Sequence, residues 1–325
     1  MAAERLKDIA RKVLSRDDVK CLIGYRRGSY GLRVSPCVLT SPDDVEQLEF
    51  SPLCLHNLAS YLTQENIGPL VKTTEDQRTK IALMVKGCDS KAVNHLIAER
   101  GIERDSVIII GIPCPGIVNI KKLEERFPDV VEKGSVVING NNFVITVAGN
   151  SVEVPLDELL AEKCRRCKHP TPLVYDELAG EPIAGREDAF DDVKAAEAVG
   201  LEERFQKWQE QFERCIRCYA CKNTCPLCYC SECALDRLRP QLIRRSVTTQ
   251  ENLLFHVIRA FHLAGRCIDC GECERVCPQG IPLMELNRKL AKEVKELFGY
   301  EPGLDPGAKP VLAVFTPEDS NEEIL

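Results

Sequence analysis

Apolar residues take helical spacing at the start of the chain, where Leu6, Ile9, Ala10, Val13 and Leu14 predict an amphipathic helix packed on a domain. Residues 21–60 lose that periodicity. Gly24, Gly28, Gly31, Pro36, Pro42 and Pro52 punctuate short apolar pieces, and the stretch reads as irregular. Residues 81–85 then form a continuous apolar run, residues 90–100 a helical pattern closed by Gly101, and residues 107–110 a second apolar run. This is a β-α-β unit, expected to be parallel with a right-handed crossover. Short strands at 136–138, 143–147 and 152–154, separated by Asn139-Gly140-Asn141-Asn142 and Gly149-Asn150, predict hairpins, and a helix over 156–163 follows.

Residues 176–200 are acidic and punctuated by Gly and Pro, as a linker is. Helices are predicted over 201–214, 251–264 and 283–298, and the chain beyond Gly303 reads as a tail, acidic at 318–323, that is disordered or straps onto a partner. The expected fold class is α+β. An α/β domain occupies 1–175, the linker 176–200, a helical domain 201–300 and the tail 301–325.

A length of 325 residues suits about two domains, and 44% hydrophobic residues suffice for real cores. The formal charge of −7 gives nucleic-acid binding no electrostatic support. No apolar run approaches the roughly 20 residues of a membrane span; the longest, 107–118, is interrupted by Pro113 and Pro115. Eighteen cysteines change the picture. Disulfide scaffolds are short and secreted, whereas this chain is long and opens Met1-Ala2-Ala3-Glu4-Arg5 without an apolar signal core. In a reducing cytosol such cysteines are metal ligands. The expectation is a cytoplasmic protein of an anaerobe, without membrane insertion or a nucleic-acid partner.

The cysteines have a pattern. Cys215-x2-Cys218-x2-Cys221-x3-Cys225-Pro226 recurs as Cys267-x2-Cys270-x2-Cys273-x3-Cys277-Pro278, the spacing with which bacterial-type ferredoxins hold two [4Fe–4S] clusters. In that arrangement the fourth cysteine crosses to the other cluster. The expected sets are Cys215, Cys218, Cys221 and Cys277 on one cube, and Cys267, Cys270, Cys273 and Cys225 on the other.

A further site is expected in the first domain. Cys88 ends the first predicted strand and Cys114 follows the second, so both fall at the carboxyl edge of the sheet, where open α/β sheets place ligands. Cys164-x2-Cys167 supplies two more thiols, and Gly87 and Gly116 allow close backbone approach. Alone, Cys88 or Cys114 reads as a small buried hydrophobe, and the Cys164/Cys167 pair as half of a structural zinc site. Lys86-Gly87-Cys88, Ile112-Pro113-Cys114 and the Cys-x2-Cys pair, joined to a two-cluster ferredoxin module, resemble the β-subunit family of coenzyme F420-reducing hydrogenases and formate dehydrogenases. The resemblance implies a third [4Fe–4S] cluster on Cys88, Cys114, Cys164 and Cys167, beside a flavin. Flavin-bearing members carry an early glycine-rich segment and a long domain after the pair. Here only Gly24-Tyr25-Arg26-Arg27-Gly28-Ser29-Tyr30-Gly31 answers to the first, and the linker begins soon after Cys167, so FAD stands as an alternative.

Cys21, Cys37 and Cys54 read as buried thiols. Cys228, Cys230 and Cys233 form an additional metal centre, replace a member of the expected set, or make a loop that shields the cube. His169 is placed to ligate or to hydrogen-bond a sulfide, while His56, His95, His256 and His262 read as helix-packing residues. Arg214, Arg217, Arg266 and Arg275 favour reduced clusters or form a docking rim; Asp269 and Glu272 lower a potential or face solvent. No nucleophile–base pair, phosphate loop or carboxylate pair stands out, which favours electron transfer over substrate chemistry. The expected function is an iron–sulfur subunit between a hydrogenase- or formate-dehydrogenase-type catalytic subunit and an acceptor such as a heterodisulfide-reductase-like protein. The alternatives are an FAD-containing β subunit that itself reduces coenzyme F420 and a non-redox zinc-binding interaction protein.

Overall fold

Two apolar runs form the centre of a five-stranded sheet ordered β2-β1-β3-β4-β8. Strands β3 (Lys80–Val85) and β4 (Val107–Gly111) pair in parallel, Leu83 opposite Ile109, and helix α2 (Gly87–Ala98) crosses between them. Helix α1 (Ala2–Leu14) buries Leu6, Ala10 and Val13, as its spacing predicts. The structure is a computed structural model that describes residues 2–63 and 79–314. The acidic stretch 318–323 lies outside the described residues.

The irregular reading of 21–60 is corrected. Strand β1 (Val19–Arg27) runs parallel to β3, and β2 (Val34–Leu39) pairs antiparallel with β1 along the sheet edge. The residues that looked like breakers have positional reasons. A Cβ on Gly24 would lie 2.5 Å from the Met84 sulfur and 2.7 Å from a Leu48 methyl, so a larger residue would have to push those side chains aside. Pro36 sits on the edge strand, where a missing N–H is tolerated.

A separate meander follows the expected hairpins: β5 (Gly134–Asn139), β6 (Asn142–Val147) and β7 (Asn150–Pro155). Helices α3 (Ile120–Arg126), capped by the Asn119 side chain, and α4 (Val130–Lys133) precede it. The single helix expected over 156–163 is two short turns, α5 (Leu156–Leu159) and α6 (Glu162–Arg165). Leu160 between them is extended and bridges to Val118, which breaks the helix.

The acidic segment 176–200 is not a free linker. Strand β8 (Glu177–Leu178) completes the sheet beside β4, and α7 (Asp191–Glu197) packs on the last long helix. Its acids are ion-pair partners for distant residues: Asp176 for Arg104, Asp188 and Asp192 for Arg288, Glu197 for Lys289. The C-terminal half comprises α8 (Leu201–Glu213), α9 (Ala220–Asn223), α10 (Thr249–His262), α11 (Glu272–Arg275) and α12 (Leu283–Phe298). The described part of the tail straps onto its own chain, with Glu301 bonded to Lys91 and Lys168 and the Gly303 carbonyl accepting from Asn94.

One apolar core runs from the sheet into Leu227, Leu263, Ile268 and Cys270, so the two halves are welded rather than tethered. Glu99, at the end of α2, accepts a two-pronged bond from Arg266 (2.6 and 2.7 Å) and one from Tyr229 (2.6 Å) across that junction. Burial opposes its ionisation, but bonds from His95, Arg266 and Tyr229 outweigh it and hold the carboxyl down to about 2. An ordinary glutamate titrates near 4.3, so this contribution to stability is complete above that pH and is lost as pH falls towards 2. Denaturant melts between pH 5 and 2 are expected to show the loss, and Glu99→Gln to lack that component.

Candidate metal centres

The two cysteine strings fold into the same backbone shape. Arg217 and Tyr219 take the left-handed conformation (φ 50° and 60°), as do their counterparts Asp269 and Gly271 (φ 57° and 66°). Three of these four carry side chains, and non-glycine residues adopt that region seldom. The turns aim backbone N–H groups at sulfur. Arg217 N lies 3.4 Å from Cys215 Sγ, and the N–H groups of Leu227, Asp269 and Glu272 bond the sulfurs of Cys225, Cys267 and Cys270. In each case the donor is two residues after the cysteine. Helices α9 and α11 then carry Cys221 and Cys273 in equivalent places.

Cys215, Cys218, Cys221 and Cys277 line one cavity, so the fourth cysteine of the second string faces the first triad. Reciprocally, Cys225 is near enough to Cys267, Cys270 and Cys273 for each thiol to feel its charge. Cys218 is exposed, whereas Cys270, Cys273 and Cys277 are buried.

In the first half, Cys88 occupies the first turn of α2 and Cys114 follows β4, both at the carboxyl edge of the sheet. Cys164 lies in α6 and Cys167 just beyond it. All four line a single cavity of about 90 Å³, with Cys267 of the second string also in its wall. Gly116 N–H bonds the Cys114 sulfur and His169 N–H the Cys167 sulfur, the same two-residue offset as in the strings. His169 therefore contributes its backbone. Arg186 closes the rim by donating to the carbonyls of Cys164 (2.5 Å) and Pro115 (3.3 Å). Burial is the main influence on the thiols of Cys88 and Cys267, pushing both up to about 12. Metal ligation is what deprotonates such groups.

Gly87 is required by this packing. A Cβ there would lie 1.6 Å from the His169 carbonyl oxygen. Gly87→Ala is expected to force the 169–170 segment off α2 at a cost of about 3 kcal/mol, the upper end for overpacking. Denaturant melts and metal content measured on the same variant would check this; wild-type values for both would refute it.

The sequence reading missed several groups. Lys163 is 10% exposed at its side chain, with Nζ 2.5 Å from the Cys270 carbonyl oxygen and 3.7 Å from Glu272. Arg259 is 3% exposed and donates to the Cys221 carbonyl at 3.0 Å. His256, read as a packing residue, has Nε2 3.3 Å from Cys215 Sγ, and Asn287 Nδ2 lies 3.5 Å from Cys273 Sγ. Burial, with Arg259 and Arg217 nearby, lowers His256 to about 3, so its ring is neutral. Only the adjacency of Lys163 to Cys164 is visible in the sequence.

The docking-rim reading of the arginines is corrected for three of four. Arg217 is buried against the Phe255 ring, Arg266 is held by Glu99 and Arg275 by Glu272; Arg214 is exposed. Nor do the two acids face solvent freely, since Glu272 is fully buried and Asp269 pairs with Arg166 and Arg288. Cys21, Cys37 and Cys54 are buried. Cys228, Cys230 and Cys233 line a cavity of about 360 Å³ shared with Cys225, and the Cys228 thiol bonds the Cys225 sulfur, drawing that thiol below its ordinary range.

Among the described residues no three His, Cys, Asp or Glu side chains converge to hold a single metal ion; the N-terminal and outer four-thiol sets are instead spread around cavities. Thiol donors with inward N–H groups fit iron–sulfur cubes. Residues 214–282 match the family model described as a 4Fe-4S dicluster domain, and [4Fe–4S] clusters are the cofactors of this chain.

Two curated relatives extend the likeness over most of the chain. The F420-dependent formate dehydrogenase subunit beta of Methanocaldococcus jannaschii is 28% identical, with 77% of this chain and 80% of the relative covered. The F420-dependent formate dehydrogenase 1 subunit beta of Methanococcus maripaludis is 26% identical, with 92% and 90% covered. A chain of the F420-reducing [NiFe] hydrogenase complex from Methanosarcina barkeri aligns at 18% identity and TM-score 0.40, over 51% of this chain and 62% of that one, less than two thirds of its length. Over most of its length the chain thus resembles F420-dependent formate dehydrogenase β subunits, with a 4Fe-4S dicluster domain at residues 214–282. Among the described residues no helix is long and apolar enough to cross a membrane.

Proposed function

We propose that this chain is the electron-transfer β-type subunit of a cytoplasmic redox complex and holds three [4Fe–4S] clusters. The outer ferredoxin cluster would be held by Cys215, Cys218, Cys221 and Cys277, the middle one by Cys267, Cys270, Cys273 and Cys225, and the N-terminal one by Cys88, Cys114, Cys164 and Cys167. One observation carries the third site. Cys114 and Cys167 receive an N–H bond from the residue two places on, as do Cys215, Cys225, Cys267 and Cys270 of the dicluster module. When bound, each cluster supplies a one-electron carrier whose potential follows hydrogen bonding, charge and burial. The chain's own residues orient the thiols, point N–H groups at sulfur and shield the two inner sites from water. Cys267 in the wall of the N-terminal cavity supports the order N-terminal, middle, outer, with exposed Cys218 at the far end. The partners would be a formate-dehydrogenase- or hydrogenase-type catalytic subunit and an acceptor such as a heterodisulfide-reductase-like protein.

Anaerobic purification with native partners, followed by iron, sulfide, zinc and flavin analysis of one sample, tests this. About twelve iron atoms with matching sulfide are expected for three cubes. About eight would remove the N-terminal cluster, and zinc without iron would overturn the reading.

A second reading is favoured by the names of the relatives, both F420-dependent. In it this chain itself holds FAD and reduces a deazaflavin carrier. Flavin absorbance remaining after the clusters are bleached would establish it; its absence would leave the electron-transfer reading alone.

A further inference from the structure

Two buried cations stand at the junctions between the three cysteine sets. Lys163 lines the N-terminal cavity with Cys88 and Cys164, yet its ammonium donates to the backbone of Cys270 at 2.5 Å. Across the module, Arg259 donates to the carbonyl of Cys221, in the outer set, at 3.0 Å. The acidic groups that act most on it include Cys273 and Cys225, in the middle set.

Neither cation has a carboxylate to itself. Among the described residues Arg259 forms no ion pair with a carboxylate, and its Nε is buried without a hydrogen-bond partner. Glu272, 3.7 Å from Lys163, is already held by both prongs of Arg275. A buried cation with a shared counter-charge, or with none, is costly, so each site favours a further anion beside it. Thiolate-ligated iron–sulfur cubes are anionic, and a fixed cation beside one stabilises its reduced, more negative state.

We propose that Lys163 and Arg259 are positioning charges, one at each junction, and that both raise the reduction potential of the middle cluster while each also raises that of one outer neighbour. The middle site, bordered by both, becomes an electron well. This rests on the three-cluster reading above and adds to it a specific pattern of coupling.

EPR-monitored redox titration of the anaerobic, iron-loaded protein tests the pattern, with Cys164→Ser and Cys218→Ser difference spectra assigning the N-terminal and outer signals. In Lys163→Met the middle and N-terminal clusters are expected to become harder to reduce, by about tenfold in equilibrium constant, or about 59 mV for one electron. In Arg259→Met the middle and outer clusters shift the same way and the N-terminal one does not. Lys163→Arg and Arg259→Lys keep the charge and restore the potentials, which a packing role would not do. Unchanged potentials in variants with wild-type iron overturn the proposal and leave the three-cluster reading standing. About eight iron in the wild type overturns that reading and the Lys163 half with it. Should a methionine variant fail to assemble, Lys163→Gln or Arg259→Gln, polar but uncharged, decides: the same downward shifts are expected, and unchanged potentials overturn the proposal.

Discussion

Cys164→Ser protein is expected to purify with about eight iron atoms in place of about twelve, the outer and middle clusters retaining their spectra. Cys164 is a buried thiol whose carbonyl is held by Arg186 and whose neighbour Lys163 reaches across to Cys270. A serine there keeps the backbone in place but removes one thiolate of the proposed four, and the other three line the same cavity. The loss should therefore be of a whole cube rather than of one iron. Anaerobic iron and sulfide analysis reads the result directly. Unchanged iron would mean that the N-terminal cysteines are packing thiols, and would remove one end of the proposed chain of centres.

Arg288→Met is expected to destabilise the fold by about 3–5 kcal/mol, the range for removing one partner of a buried ion pair. Arg288 is 2% exposed, bonds Asp188 at 2.8 and 3.0 Å and Asp192 at 2.6 and 2.8 Å, and reaches Asp269 as well. Its guanidinium also lies 4.9 Å from the centre of the Phe190 ring. Methionine fills much of the same volume and leaves Asp188 and Asp192 without their cation, while Asp269 keeps Arg166. Asp192 is partly exposed and recovers water, which places the expectation nearer the lower end of the range. Because Asp269 is one of the left-handed residues of the second cysteine loop, the variant should also release iron from the middle site faster under chelator. A denaturant midpoint within about 1 kcal/mol of wild type would refute the assignment.

What could be read from the sequence was whatever repeats or runs. The cysteine strings, the apolar runs of β3 and β4 and the spacing of Leu6, Ala10 and Val13 each carry a local period that physics ties to one shape. The edge of the sheet was hidden because Gly24 and Pro36 look like breakers until Met84 and the exposed flank of β2 are seen around them. The segment 176–200 was misread for a related reason: its acids have partners as far away as Arg288, and composition does not reveal pairing. The four N-terminal cysteines were singled out through resemblance together with the strand-end rule, and the fold brings them to one cavity. Lys163 and Arg259 were not found, since nothing along the chain distinguishes a buried cation from a solvated one.

The wall of the N-terminal cavity is assembled from residues as far apart as Lys86 and Pro302. A ribosome making this chain has released the Cys88 turn long before the residues that close over it. The enclosure is completed only when the 301–303 strap reaches Lys91 and Asn94. The proposed N-terminal cluster site thus stays open on this side for nearly the whole of synthesis, until the last segment seats.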